Sequence, residues 1–168
     1  MAPRILALAL AALLALPALA PAADWGGIDA GVSTLEQVRE RYGAPSKETR
    51  AKVEGYDTVE WIYEGPRAPA GLIRMVVYIG LLTPAGYKPN VVRVLRLEPK
   101  PRIFLRQTVV NGWGLPDGQA KEGGQATYYY KVGLLVTFEK DDQDDENVVF
   151  MNFTPPQPDP PVKPTPRR

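Results

Sequence analysis

Residues 31–45 read Gly-Val-Ser-Thr-Leu-Glu-Gln-Val-Arg-Glu-Arg-Tyr-Gly-Ala-Pro, and they contain a start, a face and a stop. Ser33 is placed to cap a helix, with Glu36 three residues on to complete a capping box. Leu35, Val38 and Tyr42 fall on one helical face. Gly43 suits a left-handed exit and Pro45 forbids continuation. The stretch therefore predicts a short amphipathic helix that needs a sheet to cover its apolar stripe.

The sheet follows at once in the sequence. Val59, Trp61 and Tyr63 alternate with Thr58, Glu60 and Ile62, and Ile73, Met75, Val77 and Ile79 alternate with Arg74, Val76 and Tyr78. A third strand is expected over 91–97. The same order then returns. Tyr42-Gly43-Ala44-Pro45 reappears as Trp113-Gly114-Leu115-Pro116, Trp61-Ile62-Tyr63 as Tyr128-Tyr129-Tyr130, and Asn90-Val91-Val92 as Asn147-Val148-Val149. The offset shrinks from 71 to 67 to 57, as expected for shared order with shortened loops. At the last offset Val149 and Met151 match Val92 and Val94 as inward positions. The second helix, on Leu105, Val109 and Trp113, lacks a good cap and contains Asn111-Gly112, so it is expected to be short. Its strands are expected at 126–130, 134–140 and 147–153.

The fold class expected is α+β: two tandem helix-then-three-strand repeats forming an antiparallel sheet, with the helices packed on one face and the other face open. The domain reading is a signal peptide over 1–23, a first repeat over 24–99, a second, shorter one over 100–154 and a proline-rich disordered tail over 155–168. The signal rests on Arg4, the apolar run 5–16 and the small residues Ala20-Pro21-Ala22. That run is shorter than the ~20 residues that span a bilayer. The tail, with seven prolines in residues 154–168, lacks the donors and apolar residues of a core.

Composition excludes several chemistries. The chain has no cysteine and no histidine, so neither a disulfide, a Ser-His-Asp triad, a Cys-His pair nor a zinc-thiolate site can be built. Twenty basic residues against nineteen acidic ones offer no electrostatic case for nucleic acid. No cofactor and no metal are expected, and no catalytic residue is assigned. The acidic run Asp141-Asp142-Gln143-Asp144-Asp145-Glu146 lacks the glycine and spacing of a calcium loop. A solvated hairpin tip is its simpler reading. Recognition is instead expected from aromatic and guanidinium groups, which bring area and geometry at low entropic cost. The candidates for protein binding are Tyr128, Tyr129, Tyr130, Trp61, Tyr63, Arg93 and Arg96.

Taken together, Gly31-Val32-Ser33-Thr34, Val38, Tyr42-Gly43-Ala44-Pro45 and Trp61-Ile62-Tyr63 resemble the small outer-membrane assembly proteins of the SmpA/OmlA (BamE) type. The tandem arrangement resembles that of β-lactamase inhibitor proteins. The likeness is best over 28–98 and weaker over 103–154. It implies an exported, periplasmic or secreted binding module of the bacterial cell envelope, whose partner is another envelope or secreted protein. A secreted enzyme inhibitor is the alternative, and a carboxylate-based cell-wall hydrolase a third. The missing cysteine removes the lipid anchor usual in the first family and the disulfides of the second, and no membrane span is expected.

Overall fold

A computed structural model describes residues 23–140 and 147–156. The expected signal segment up to residue 22, the acidic run 141–146 and the tail from 157 lie outside the described residues. The described chain begins with a small hairpin, β1 (Asp24–Trp25) and β2 (Ile28–Asp29). Helix α1 (Leu35–Tyr42) is followed by β3 (Lys47–Val53), β4 (Tyr56–Glu64), β5 (Leu72–Thr83) and β6 (Gly86–Pro99). Helix α2 (Arg106–Trp113) is followed by β7 (Gly118–Glu122), β8 (Gln125–Tyr130), β9 (Leu134–Lys140) and β10 (Val148–Phe153).

This corrects the α+β expectation of two helix-then-three-strand repeats. Among the described residues strand accounts for 57%, with two α-helices. One eight-stranded antiparallel sheet runs β3-β4-β5-β6-β10-β9-β8-β7, beside the two-stranded β1-β2 sheet. The sequence analysis places no strand at the β1–β2 hairpin, and in the large sheet the strands it misses are the two edges. β3 is Lys-Glu-Thr-Arg-Ala-Lys-Val and fully exposed, and β7 is Gly-Gln-Ala-Lys-Glu and nearly so. An edge strand with neither face buried carries no apolar alternation, and charged side chains there discourage pairing with other chains. Their ladders with β4 and β8 hold them in place.

Caps shift by one residue from the sequence reading. Thr34, not Ser33, caps α1: its Oγ1 accepts the Gln37 N–H at 3.4 Å, and Gln37 Oε1 accepts the Thr34 N–H at 2.8 Å. Ser33 is buried and its Oγ accepts the Asp29 N–H at 2.9 Å. Helix α2 has no side-chain cap, yet it is as long as α1, at eight residues. Each helix inserts one valine fully into the core, Val38 and Val109. Each ends on a glycine at positive φ, Gly43 (74°) and Gly114 (82°).

The two halves meet at β6 and β10, and their inward rows continue across that seam. Trp61, Val77, Leu95, Phe153, Leu134 and Tyr130 are successive neighbours on six strands. Tyr63, Met75, Leu97, Met151, Val136 and Tyr128 form the next row. All twelve are buried, and burying each large apolar side chain contributes about 1.5–3 kcal/mol before entropy is charged. The same hydrogen bond closes both halves: Tyr63 Oη donates to the Gly43 carbonyl at 3.0 Å, and Tyr130 Oη to the Gly114 carbonyl at 3.1 Å.

The match between β6 and β10 is one residue off the expectation. Val92, Leu95 and Leu97 are buried, and so are Val148, Met151 and Phe153, whereas Val149 and Val94 are not. A one-residue slip exchanges the faces of a strand. The inward partner of Val92 is therefore Val148.

Candidate functional site

The helices and the hairpin lie on one side of the sheet. Val38 and Val109 join the inward cluster, Trp25 packs edge-on against Phe104 with ring centroids 5.6 Å apart, and Ile28 and Ala30 are buried in the same core. The opposite face carries neither helix, and its central row crosses all eight strands. It runs Lys47, Ile62, Val76, Arg96, Asn152, Leu135, Tyr129, Gly118.

Two β-bulges enrich the middle of this face. The β5–β6 register passes from Tyr78 opposite Val94 to Ile79 opposite Val92, leaving Arg93 as the extra residue. On β10 it passes from Phe150 opposite Thr137 to Val148 opposite Phe138, leaving Val149 extra. A bulge re-aims side chains locally. Both lie between the same inward positions of the two central strands, so Arg93-Val94 and Val149-Phe150 are all left half-buried between inward residues.

The electrostatics of the face centre on guanidinium groups. Arg96 lies over the Phe150 ring, 3.9 Å from its centroid, and Arg93 is 5.9 Å from that of Tyr78. Arg74 forms a fork on Glu98, with Nε to Oε2 at 3.0 Å and Nη2 to Oε1 at 3.1 Å. Arg96 Nε stands 3.3 Å from the other side of that carboxylate, an ion pair without hydrogen-bond alignment. The Glu98 hydrogen bonds and charge raise the Arg74 pKa above its ordinary value. Arg93 Nε is buried with no hydrogen-bond partner among the described residues. A buried donor without a partner is costly, and an incoming acceptor would relieve it.

Of the residues expected to bind, the structure brings Arg93, Arg96 and Tyr129 to the open face, with Tyr129 42% exposed. Trp61, Tyr63, Tyr128 and Tyr130 are core residues, at 8% exposure or less. Their polar atoms are used internally. Trp61 Nε1 donates to Glu48 Oε2 at 3.0 Å, and this bond, with Arg50, lowers the Glu48 pKa. Tyr128 Oη accepts from Arg106 Nη1 at 3.0 Å. Burial pushes the Tyr63 hydroxyl up to about 12.

Sequence reasoning missed Tyr78, Phe150, Arg74 and Glu98. Phe150 lies on the outward side that alternation about Met151 already implies, but nothing local to the sequence shows that Arg96 of another strand stacks on it. Arg74 and Glu98 are 24 residues apart and meet only through the β5–β6 ladder.

A separate cleft of about 480 Å³ opens at one end of the second half, lined by Asp117, Gly118, Tyr129, Tyr130, Lys131, Leu134, Leu135 and Thr154. Another, of about 440 Å³, is lined by Gly26, Gly27, Ile28, Gln37, Glu40 and Arg41. Among the described residues, no group of three or more acidic side chains is arranged to hold a metal ion. No helix among them is long and apolar enough to cross a membrane.

No family model matches the chain, and no curated protein matches it. Among solved structures, the chain is similar to a DUF4309 family protein (YjgB) from Bacillus subtilis. The two share 11% identity with a TM-score of 0.46, over 77% of this chain and 82% of that one.

Proposed function

We propose that this chain is an exported, non-enzymatic binding module of the bacterial cell envelope that recognises a protein partner through its open sheet face. The observation that supports this reading is the middle of that face, where Arg96 lies against Phe150 beside Tyr78, Arg93 and the Arg74–Glu98 pair. Arginine stacked on an aromatic ring, with aliphatic neighbours such as Ile62 and Leu135, is the composition of interface hot spots. Arg74 and Arg96 meet on Glu98, and Glu60 and Glu64 stand opposite Tyr78 and Arg74 on the neighbouring strand, so the matching surface is a protein segment carrying charges of both signs among apolar residues. A place in outer-membrane assembly or maintenance belongs to the same proposal, and rests on the resemblance of residues 28–98.

The test pairs crosslinking with face-directed variants. A periplasmic extract is captured on the wild-type chain and on Arg96→Glu and Phe150→Asp chains with unaltered circular dichroism. Envelope proteins retained by wild type and released by both variants support the reading. Equal retention by all three chains, or none by wild type, overturns it.

A further inference from the structure

The two hairpins of the first half end on apolar pairs. Val53 stands opposite Tyr56 at the end of β3–β4, and Leu82 opposite Tyr87 near the end of β5–β6. The last pair of β7–β8 is instead Glu122 opposite Gln125. The Tyr56 and Tyr87 rings lie against each other with centroids 4.7 Å apart, yet Val53, Tyr56 and Leu82 remain exposed to water at 38%, 39% and 47%. Tyr87 lies across β5 because residue 80 is glycine. Its hydroxyl donates to the Asp57 carbonyl on β4, and a Cβ at position 80 would collide with that hydroxyl.

These four side chains surround a cleft of about 50 Å³, completed by Thr58, Glu54 and Arg93 beside Gly80. That is several times the ~10–15 Å³ that admits one water, and suits a group the size of a carboxylate. Arg93, the extra residue of the β6 bulge, brings its guanidinium to the cleft with Nε buried and without a hydrogen-bond partner among the described residues. The neighbouring polar groups are already engaged. Thr58 Oγ1 donates to the Ala51 carbonyl at 3.2 Å, and the Asp57 carboxylate pairs with Lys52 Nζ at 3.1 Å. Glu54 stands exposed in the turn at the rim. The cleft thus offers a donor that lacks an acceptor, and a charged acceptor satisfies such a donor best.

We propose that this cleft takes an Asp or Glu carboxylate of the partner protein, while an adjacent aromatic or aliphatic side chain of the same segment covers Leu82 and Tyr56. The proposal rests on the open-face reading and names the chemistry of one of its contacts. The carboxylate accepts from Arg93 Nε, and the apolar neighbour removes the exposed ledge from water. Four residues of β5 separate Leu82 from Tyr78 beside the Arg96–Phe150 pair, about 13 Å at ~3.3 Å per residue. A partner that meets both places therefore presents its acidic and apolar groups over at least that span.

The test uses the full-length ¹⁵N-labelled chain and two capped dipeptides, acetyl-Phe-Glu-amide and the uncharged acetyl-Phe-Gln-amide. The Glu peptide should shift the Arg93 Nε–H resonance and the amides of residues 54–58, 80–82 and 87 in a saturable way. The Gln peptide should need at least about tenfold more for the same shift, because it cannot offer a charged acceptor. Arg93→Gln should erase the difference between the two peptides. Glu54→Gln, which removes a like charge from the rim, should bind the Glu peptide more tightly. An unmoved Arg93 Nε–H, or equal affinity for the two peptides, overturns the proposal. Retention of envelope proteins by Arg93→Gln, where Arg96→Glu and Phe150→Asp release them, also overturns it and leaves the open-face reading standing.

Discussion

Replacing Tyr63 by Phe separates two contributions of one hydroxyl, and they have opposite pH dependence. At neutral pH the substitution removes the 3.0 Å bond to the Gly43 carbonyl. Gly43 is exposed, so water takes over the freed acceptor and the loss is about 1 kcal/mol. With a urea m-value of ~1–3 kcal/mol/M, the midpoint should fall by about 0.3–1 M. Ionisation reverses the sign. Burial raises the Tyr63 pKa to about 12 in the fold, against ~10 for the unfolded chain. The protonated fold is therefore favoured, and its advantage is intact below pH 10 and lost as pH climbs through 12. Linkage puts the loss at about 1.4 kcal/mol at pH 11 and ~2.3 kcal/mol at pH 12. Tyr63→Phe has no such proton to lose. Wild type should thus be the more stable protein at pH 7, and the two urea curves should cross near pH 11. Tyr42 and Tyr130, also raised by burial, are present in both proteins and cancel. The reasoning is refuted if the gap between the two midpoints stays constant from pH 8 to 12, or if the exposed-site control Tyr129→Phe shows the same crossing.

Other substitutions probe the caps, the turn and the core. Gly133, at φ 94°, has no room for a Cβ beside the Thr154 carbonyl. Gly133→Ala should cost ~3 kcal/mol or more in urea unfolding, whereas Gly123→Ala, at φ 57° with open space around it, should cost about 1 kcal/mol. Thr34→Ala removes one half of the capping box at α1 and should lower stability by ~1 kcal/mol, with Ser33 unable to substitute because its hydroxyl is held by the Asp29 N–H. Phe138→Ala empties a fully buried site between Tyr128 and the Arg106 guanidinium. It should cost about 3–5 kcal/mol by calorimetry.

The parts legible in the sequence were those with a local physical signature. The α1 stripe was readable because Leu35, Val38 and Tyr42 must share a face, and its end because Gly43 and Pro45 leave the chain few other conformations. The alternation of Val59, Trp61 and Tyr63 marked the inward face of β4 for the same kind of reason. Strands β3 and β7 were illegible because their side chains are bathed in water on both faces, so that selection for burial left no pattern. The bulges at Arg93 and Val149 were illegible because an extra residue alters the parity of a strand only when its neighbour's register is known.

The sequence by itself determined the chemistry within reach: a chain without cysteine or histidine must rely on packing, carboxylates, guanidiniums and aromatics. It also determined that one motif occurs twice, through the spacing of Tyr42-Gly43 and Trp113-Gly114. Only the tertiary structure decided which aromatics face the open side of the sheet. Tyr128 and Tyr130 point inward and Tyr129 outward, because pairing with β9 places Val136, Leu134 and Leu135 opposite them. The open-face cluster of Arg74, Tyr78, Arg96, Glu98 and Phe150 draws on three strands. No local preference of the chain specifies that meeting. It follows from the ladders that join β5 to β6 and β6 to β10, and from the core that holds their inward faces down.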